Sequence, residues 1–204
     1  MAGFDVDGDK SLLNMRGWSA GRSSQGFTLM ELLIVVAIIA ISAQVAVPAL
    51  MNLVRDNRLV SQLNGFTSSL LLARNQAASR NLHVALCPST DGVSCTGGRE
   101  WEMGWIVFVD SDDDRRVDEG ETVLRRQQAL RGGNTVESNV SRTSIGYSPM
   151  GRASSASFWI CDPRGAAKAR GITLGNHGRP YTFDDSDGNG IRDYGSSDRD
   201  VTCP

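Results

Sequence analysis

"SSQGFTLMELLIVVAIIAISAQVAVPAL", residues 23–50, decides how the rest of this 204-residue chain must be built. Residues 32–53 carry no charge, and Ser42, Gln44 and Asn52 are their strongly polar positions. At a rise of about 1.5 Å per helical residue, about 20 such residues cross the hydrocarbon core of a bilayer. Two residues are out of place in lipid. Glu31 precedes the run, and an unpaired carboxylate there is costly or takes up a proton. Pro48, towards the end, removes one helical hydrogen bond and lets the helix loosen or curve.

The flanks give this segment a direction. Asp5, Asp7 and Asp9 do not suit a membrane-inserting leader, whereas Met15 opens "MRGWSAGRSSQG", with Arg16 and Arg22 and no acid. Met15 is thus a second candidate start. Arginines ahead of the run place the N-terminus in the cytoplasm and the downstream domain across the membrane. A secretory signal would end its shorter apolar region in small residues, but here the small and polar residues come first.

Beyond Pro48 the pattern turns amphipathic. Leu59, Leu63, Phe66, Leu70, Ala73 and Ala77 recur at steps of three and four, with Arg58, Gln62, Ser69, Arg74 and Arg80 between them. One helix is predicted over 28–79, its first half in the membrane and its second half packed on a domain. Gly65 weakens one turn. After Asn81 the sequence changes to short strands, predicted at 83–87, 105–109, 122–127, 144–147, 157–161, 170–174 and 181–183, between Gly, Asp, Ser and Pro clusters. The expected fold is α+β: an antiparallel sheet, or two small ones, on the C-terminal half of the long helix, a lollipop. About 150 residues outside the apolar run suffice for one such domain.

Four cysteines, Cys87, Cys95, Cys161 and Cys203, lack C-x-x-C spacing and have only His83 and His177 as nitrogen companions, which argues against zinc. Downstream of a membrane segment they read as disulfides. Of the three connectivities, Cys87–Cys95 and Cys161–Cys203 are expected, the second pinning an Asp/Gly/Ser-rich tail. Four free buried thiols are the alternative.

The charges nearly balance, with 21 Lys+Arg against 23 Asp+Glu, but they are segregated. Between 142 and 182, Arg142, Arg152, Arg164, Lys168, Arg170 and Arg179 face Asp162 alone. An acidic tail follows, with Asp184, Asp185, Asp187, Asp193, Asp198 and Asp200 against Arg192 and Arg199.

Two acidic loops have cation-loop spacing. In "DSDDDRRVDEGE", Asp110, Asp112, Asp114, Asp118 and Glu121 fall at positions 1, 3, 5, 9 and 12 of a calcium loop. Arg115 at position 6 is not the usual glycine, and both it and Arg116 add opposing positive charge. A solvated hairpin with Asp–Arg pairing is the competing reading. In "DSDGNGIRD", Asp185, Asp187, Asn189 and Asp193 surround Gly190, but position 12 is Ser196; an Asx-rich surface turn competes there. No other cofactor is expected. Nor is catalysis: neither His83 nor His177 has a nucleophile at motif spacing, and no P-loop or G-x-G-x-x-G occurs.

"QGFTLMELLIVVAIIAISAQVAVP" resembles the class III signal of type IV pilins and type II secretion pseudopilins. The resemblance implies that a prepilin peptidase cuts after Gly26, that Phe27 becomes the N-methylated terminus, and that Glu31 and Pro48 take the family's glutamate and helix-breaking proline positions. Glu31 could then pair with the Phe27 amine of a neighbouring subunit. The downstream stretches "WEMGWIVFVDSDDD", "YSPMGRASSASFWICDPRG" and "ARGITLGNHGRPYTF" resemble the GspH/FimT group of minor pilins and pseudopilins, a likeness covering residues 24–204. It implies a leader over 1–26, a transmembrane and filament-core helix over 27–53, and a periplasmic domain over 54–204. It implies an inner-membrane protein with one crossing, later extracted into a pilus or pseudopilus beside other pilins, with roles in assembly priming, twitching, adhesion or DNA uptake. Relatives that serve transformation bind DNA through a G-R-x-R motif. The matching residues here are Gly178, Arg179, Pro180 and Tyr181, so the second arginine is replaced. Arg152, Arg164, Lys168 and Arg170 are the other candidate phosphate contacts, and Tyr181 could stack on a base. A solvated basic face is the competing reading.

Overall fold

A computed structural model describes residues 26–195 and 199–204. The leader up to residue 25, Met15 included, and Ser196 and Asp198 lie outside the described residues. The chain divides into two units, the first ending at Val45 and the second comprising Ala46–Pro204.

Both units contain part of one helix, α1, Leu29–Arg80. Thr28 starts it. Its Oγ1 accepts the Glu31 N–H at 3.2 Å, and its carbonyl accepts the Leu32 N–H at 3.1 Å. Thr-Leu-Met-Glu is thus a capping-box sequence, with an acid in the first turn where the helix dipole favours one. Ser42, inside the apolar run, returns its hydroxyl to the Ile38 carbonyl at 2.8 Å, which spares the run an open polar group. The expected break at Pro48 does not occur; the helix continues through it. A proline removes only one rung, and the turns on either side keep theirs.

In the second unit α1 becomes one wall of a core. Leu59, Leu63, Phe66, Leu70, Ala73 and Ala77 are all buried, the face that the three- and four-residue steps predict. Phe66 is its hub, with ring centroids 5.2 Å from Trp105, 5.2 Å from Phe158 and 5.6 Å from Trp101. These edge and tilted contacts suit aromatic quadrupoles. Ser69, the polar member of that face, accepts the Trp105 indole N–H at 2.9 Å.

Eight strands follow among the described residues: β1 (Val84–Pro88), β2 (Gly104–Val109), β3 (Val123–Gln128), β4 (Thr135–Ser138), β5 (Ile145–Tyr147), β6 (Ala156–Cys161), β7 (Arg170–Leu174) and β8 (Pro180–Thr182). They form two antiparallel four-stranded sheets, ordered β3-β2-β1-β5 and β4-β6-β7-β8. All seven predicted strands are present, within a residue or two. β4 was not expected. Its one deeply buried apolar residue is Val136, too little for a sequence signal, and it is held by pairing along β6 from Thr135↔Cys161 to Ser138↔Phe158.

Cys87 and Cys95 are bonded, as are Cys161 and Cys203. The second bond belongs to a small core of Trp159, Cys161, Ala169, Phe183 and Val201. Trp159 stacks on Tyr194 at 5.1 Å and donates its indole N–H to the Thr202 carbonyl at 2.8 Å. The acidic tail is therefore tied down by more than a disulfide.

Candidate functional site

The most unusual surface lies along α1. From Leu29 to Val54 its residues are exposed, and nearly all are apolar: Leu29 is 77% exposed, Ile41 67% and Val45 74%. Phe27, just ahead of the helix, is 85% exposed. The only ionisable side chain over 27–54 is Glu31. No carboxylate–cation pair involves it among the described residues. Water is a poor solvent for such a stretch, because apolar area gains roughly 25 cal/mol per Å² on burial. Lipid or another apolar helix must cover it, and α1 alone among the described helices is long and apolar enough to cross a membrane.

The arginines proposed from the sequence do not form one surface. Arg152 and Arg179 share a hollow with Arg74, His177 and Met150. Arg74 Nε donates to the His177 carbonyl at 3.3 Å, which joins α1 to the turn before β8. That turn needs Gly178. It has φ +69°, and a Cβ there would collide with the Gly151 carbonyl and approach Tyr147 Cε1 to 2.9 Å. Tyr181, half-exposed on β8, stands beside Thr173 in the sheet.

Arg164, by contrast, is not available to a ligand. Its Nη2 lies 2.7 Å from Asp56 Oδ1 and 2.7 Å from Asp162 Oδ2, and its side chain is 14% exposed. Burial alone would raise the Asp162 carboxyl, but the hydrogen bonds and charge of Arg164 outweigh it and hold the group below the ordinary carboxylate value. The positive run read from the sequence thus includes an internal strut between α1 and the end of β6. Arg170 faces a different hollow, with Arg192, Val60, Asn64 and Phe183. Burial first, and Arg170 second, lower the Arg192 pKa. Lys168 sits in the short 3-10 turn Ala166–Lys168. Arg74, which completes the Arg152–Arg179 hollow, was legible only as an interleaved polar helix position; nothing in its spacing pointed to the turn near Gly178.

The acidic loops both bring carboxylates together. In the β2–β3 loop, donor atoms of Asp110, Asp112 and Glu121 lie within 4.8 Å of one another, as do those of Asp112, Asp114 and Asp118. Near the C-terminus the same holds for Asp185, Asp187 and Asp193. There Asp185 accepts the N–H groups of Gly188 and Gly190, and Asn189 accepts that of Ile191 while donating to Asp187 and Asp200. Asp193 is buried, with one oxygen receiving the Ser186 N–H at 2.7 Å. The Asp–Arg pairing expected of the first loop is not seen: neither Arg115 nor Arg116 forms an ion pair with a loop carboxylate. His83 instead pairs with Asp113 at 3.3 Å. His177 takes part through its backbone carbonyl.

Comparison with known proteins matches residues 62–199 to the family described as type II transport protein GspH, and residues 21–43 to the prokaryotic N-terminal methylation motif. The pilin-like protein PilA1 of Thermus thermophilus is 27% identical over 143 residues, 69% of this chain and 78% of that one. The type IV minor pilin FimU of Pseudomonas aeruginosa shares the fold with a TM-score of 0.50 and 18% identity, over 62% of this chain and 88% of that one. The minor pseudopilin EpsH of Vibrio cholerae aligns with a TM-score of 0.45 and 11% identity, over 64% of this chain and 99% of that one.

Proposed function

This chain belongs to the GspH family of pilins and pseudopilins, and from that premise we propose that it is a minor type IV pilin. It is made as a precursor, cut after Gly26 by a prepilin peptidase and methylated on Phe27. Residues 27–53 hold it in the inner membrane, with 54–204 in the periplasm, until it enters a pilus and helps prime assembly near the tip. It is a peptidase substrate and a structural subunit, not a catalyst. The observation that carries this reading is the exposed apolar length of α1 with Glu31 as its one ionisable group. A plain anchor needs no carboxylate. A helix that leaves lipid for a bundle of like helices can use one, opposite the new amine of a neighbour's Phe27. The test is Gly26→Ala: the chain is expected to stay uncleaved and to be missing from sheared filaments. Wild-type amounts of uncleaved chain in filaments would refute the reading.

A second reading, DNA capture during transformation, draws on the hollow where Arg74, Arg152, His177 and Arg179 meet without a carboxylate. Such a cluster suits phosphates, with affinity that falls steeply as salt rises. Full-length chain in neutral detergent should shift a DNA duplex at low salt, and Arg179→Ala should weaken the shift; a wild type that gives no shift ends this reading. A third, the pseudopilus of a type II secretion system, is supported by the family's description. The neighbouring genes separate it from the first: minor-pilin genes favour the pilus, secretion genes the pseudopilus.

A further inference from the structure

We propose that the loop joining β2 to β3 is a calcium site, with Asp110, Asp112, Asp114, Asp118 and Glu121 as its carboxylate ligands. The pivotal residue is Asp110. It follows the last residue of β2 and is fully buried, at 0% exposure. Its own N–H is satisfied by the His83 carbonyl at 3.0 Å, and Oδ1 accepts the Arg115 N–H at 3.3 Å. Oδ2 is buried and, among the described residues, has no hydrogen-bond partner. A buried carboxylate oxygen left without a donor or cation is among the costlier things a fold can contain.

Apart from the Arg115 N–H on Oδ1, the groups brought against Asp110 are further carboxylates. One triad holds Asp110, Asp112 and Glu121, another Asp112, Asp114 and Asp118, and Asp112 links the two. Like charges so close repel unless something positive lies between them. The two arginines in the loop do not fill that place, since neither pairs with these groups within 4.0 Å. Arg115 lies along β5 instead, its Nε 3.1 Å from where a Cβ on Gly146 would sit. Its backbone, at φ +65°, already makes the left-handed turn that glycine makes at the sixth position of such loops. The missing glycine is therefore no obstacle, and the charge of Arg116 acts on Asp118 only from beyond ion-pair distance.

The other positions agree. Val117, eighth in the loop, packs against the buried cluster of Ala85, Cys87, Ile106 and Phe108, which anchors the loop's middle to the sheet. Glu121, twelfth, is folded back across the loop, accepting the Ser111 N–H at 2.6 Å and the Asp118 N–H at 3.2 Å. Carboxylate oxygens can accept more than one partner, so these bonds position Glu121 without using it up. An all-oxygen, strongly anionic, irregular ligand set suits calcium. Magnesium demands a compact octahedron, and zinc favours nitrogen and sulfur.

The C-terminal loop is the built-in comparator. Asp193 there is 5% exposed with Oδ1 unpartnered. That loop brings together three carboxylates, against five here, and the residue at its twelfth position is a serine.

The test titrates full-length chain in neutral detergent, stripped with EDTA, with calcium chloride and separately with magnesium chloride, by calorimetry and thermal melts. Calcium should bind and raise Tm by about 3–6 °C at tenfold excess over its Kd. Asp112→Asn and Glu121→Gln should weaken binding by about tenfold or more, and Asp187→Asn should leave it intact. Asp110→Asn should abolish the response yet melt no lower than wild type without calcium, because it removes an uncompensated charge; this separates ligand loss from unfolding. No heat or Tm response in the wild type would overturn the proposal. So would unchanged affinity in Glu121→Gln, magnesium binding as tightly as calcium, or loss confined to Asp187→Asn.

Discussion

Truncating Arg164 would leave Asp162 buried without an ion-pair partner, with only the more distant charge of Arg55 to offset it. Arg164→Ala should therefore destabilise the second unit by about 3–5 kcal/mol, read from urea unfolding. The pH dependence has a definite sign. Asp162 has a folded pKa below its unfolded one, so its contribution is fully present above the unfolded value, near 3.8, and is lost as pH falls through the folded value. The gap between wild type and variant should narrow as pH drops below about 4. Gly178 gives a second residue-level prediction. Gly178→Ala forces a side chain into a left-handed backbone against the Gly151 carbonyl, and should cost more than about 2 kcal/mol and loosen the Arg152–Arg179 hollow. Charge was readable residue by residue. Which arginine is free was not: Arg164 and Arg179 look alike in sequence, yet one is clamped by Asp56, 108 positions away, and the other lines an open hollow.

Among the elements, α1 was the most legible, because a buried helical face leaves a period that no loop imitates. Leu59, Phe66 and Leu70 could be assigned to the core before any contact was known. Phe66→Ala should cost about 3–5 kcal/mol, since it removes the ring that three others pack against. The strands were legible where apolar residues cluster, as in β2 and β6, and not where pairing alone holds them, as in β4. The partition into two sheets had no sequence signal, since it depends on which strands meet. The disulfides differ in reach. Cys161–Cys203 spans 42 positions and Cys87–Cys95 only 8, so chain entropy gives about 4 kcal/mol for the first and about 2.6 for the second. Cys203→Ser should therefore lower Tm more than Cys95→Ser in thermal melts. A reversed order would mean that the Trp159 cluster, not the bond, holds the tail.

At the scale of the molecule, each unit answers a different problem. The first is a helix whose apolar surface is exposed among the described residues, with Glu31 in its capped first turn. The second satisfies its own core and presents basic and acidic surfaces. The sequence disclosed the first almost completely, because membrane length and a misplaced carboxylate are one-dimensional signals. It disclosed the surfaces of the second only as lists of charges. Incorporation into a filament leaves its mark on the mature N-terminus of filament-borne chain. Filaments sheared from cells and analysed by peptide mass spectrometry should contain this chain beginning at N-methylated Phe27, and Glu31→Ala should deplete it from the filaments while leaving cleavage intact. A chain found only in membranes, or one in filaments that still carries residues ahead of Phe27, would rule out a processed filament subunit.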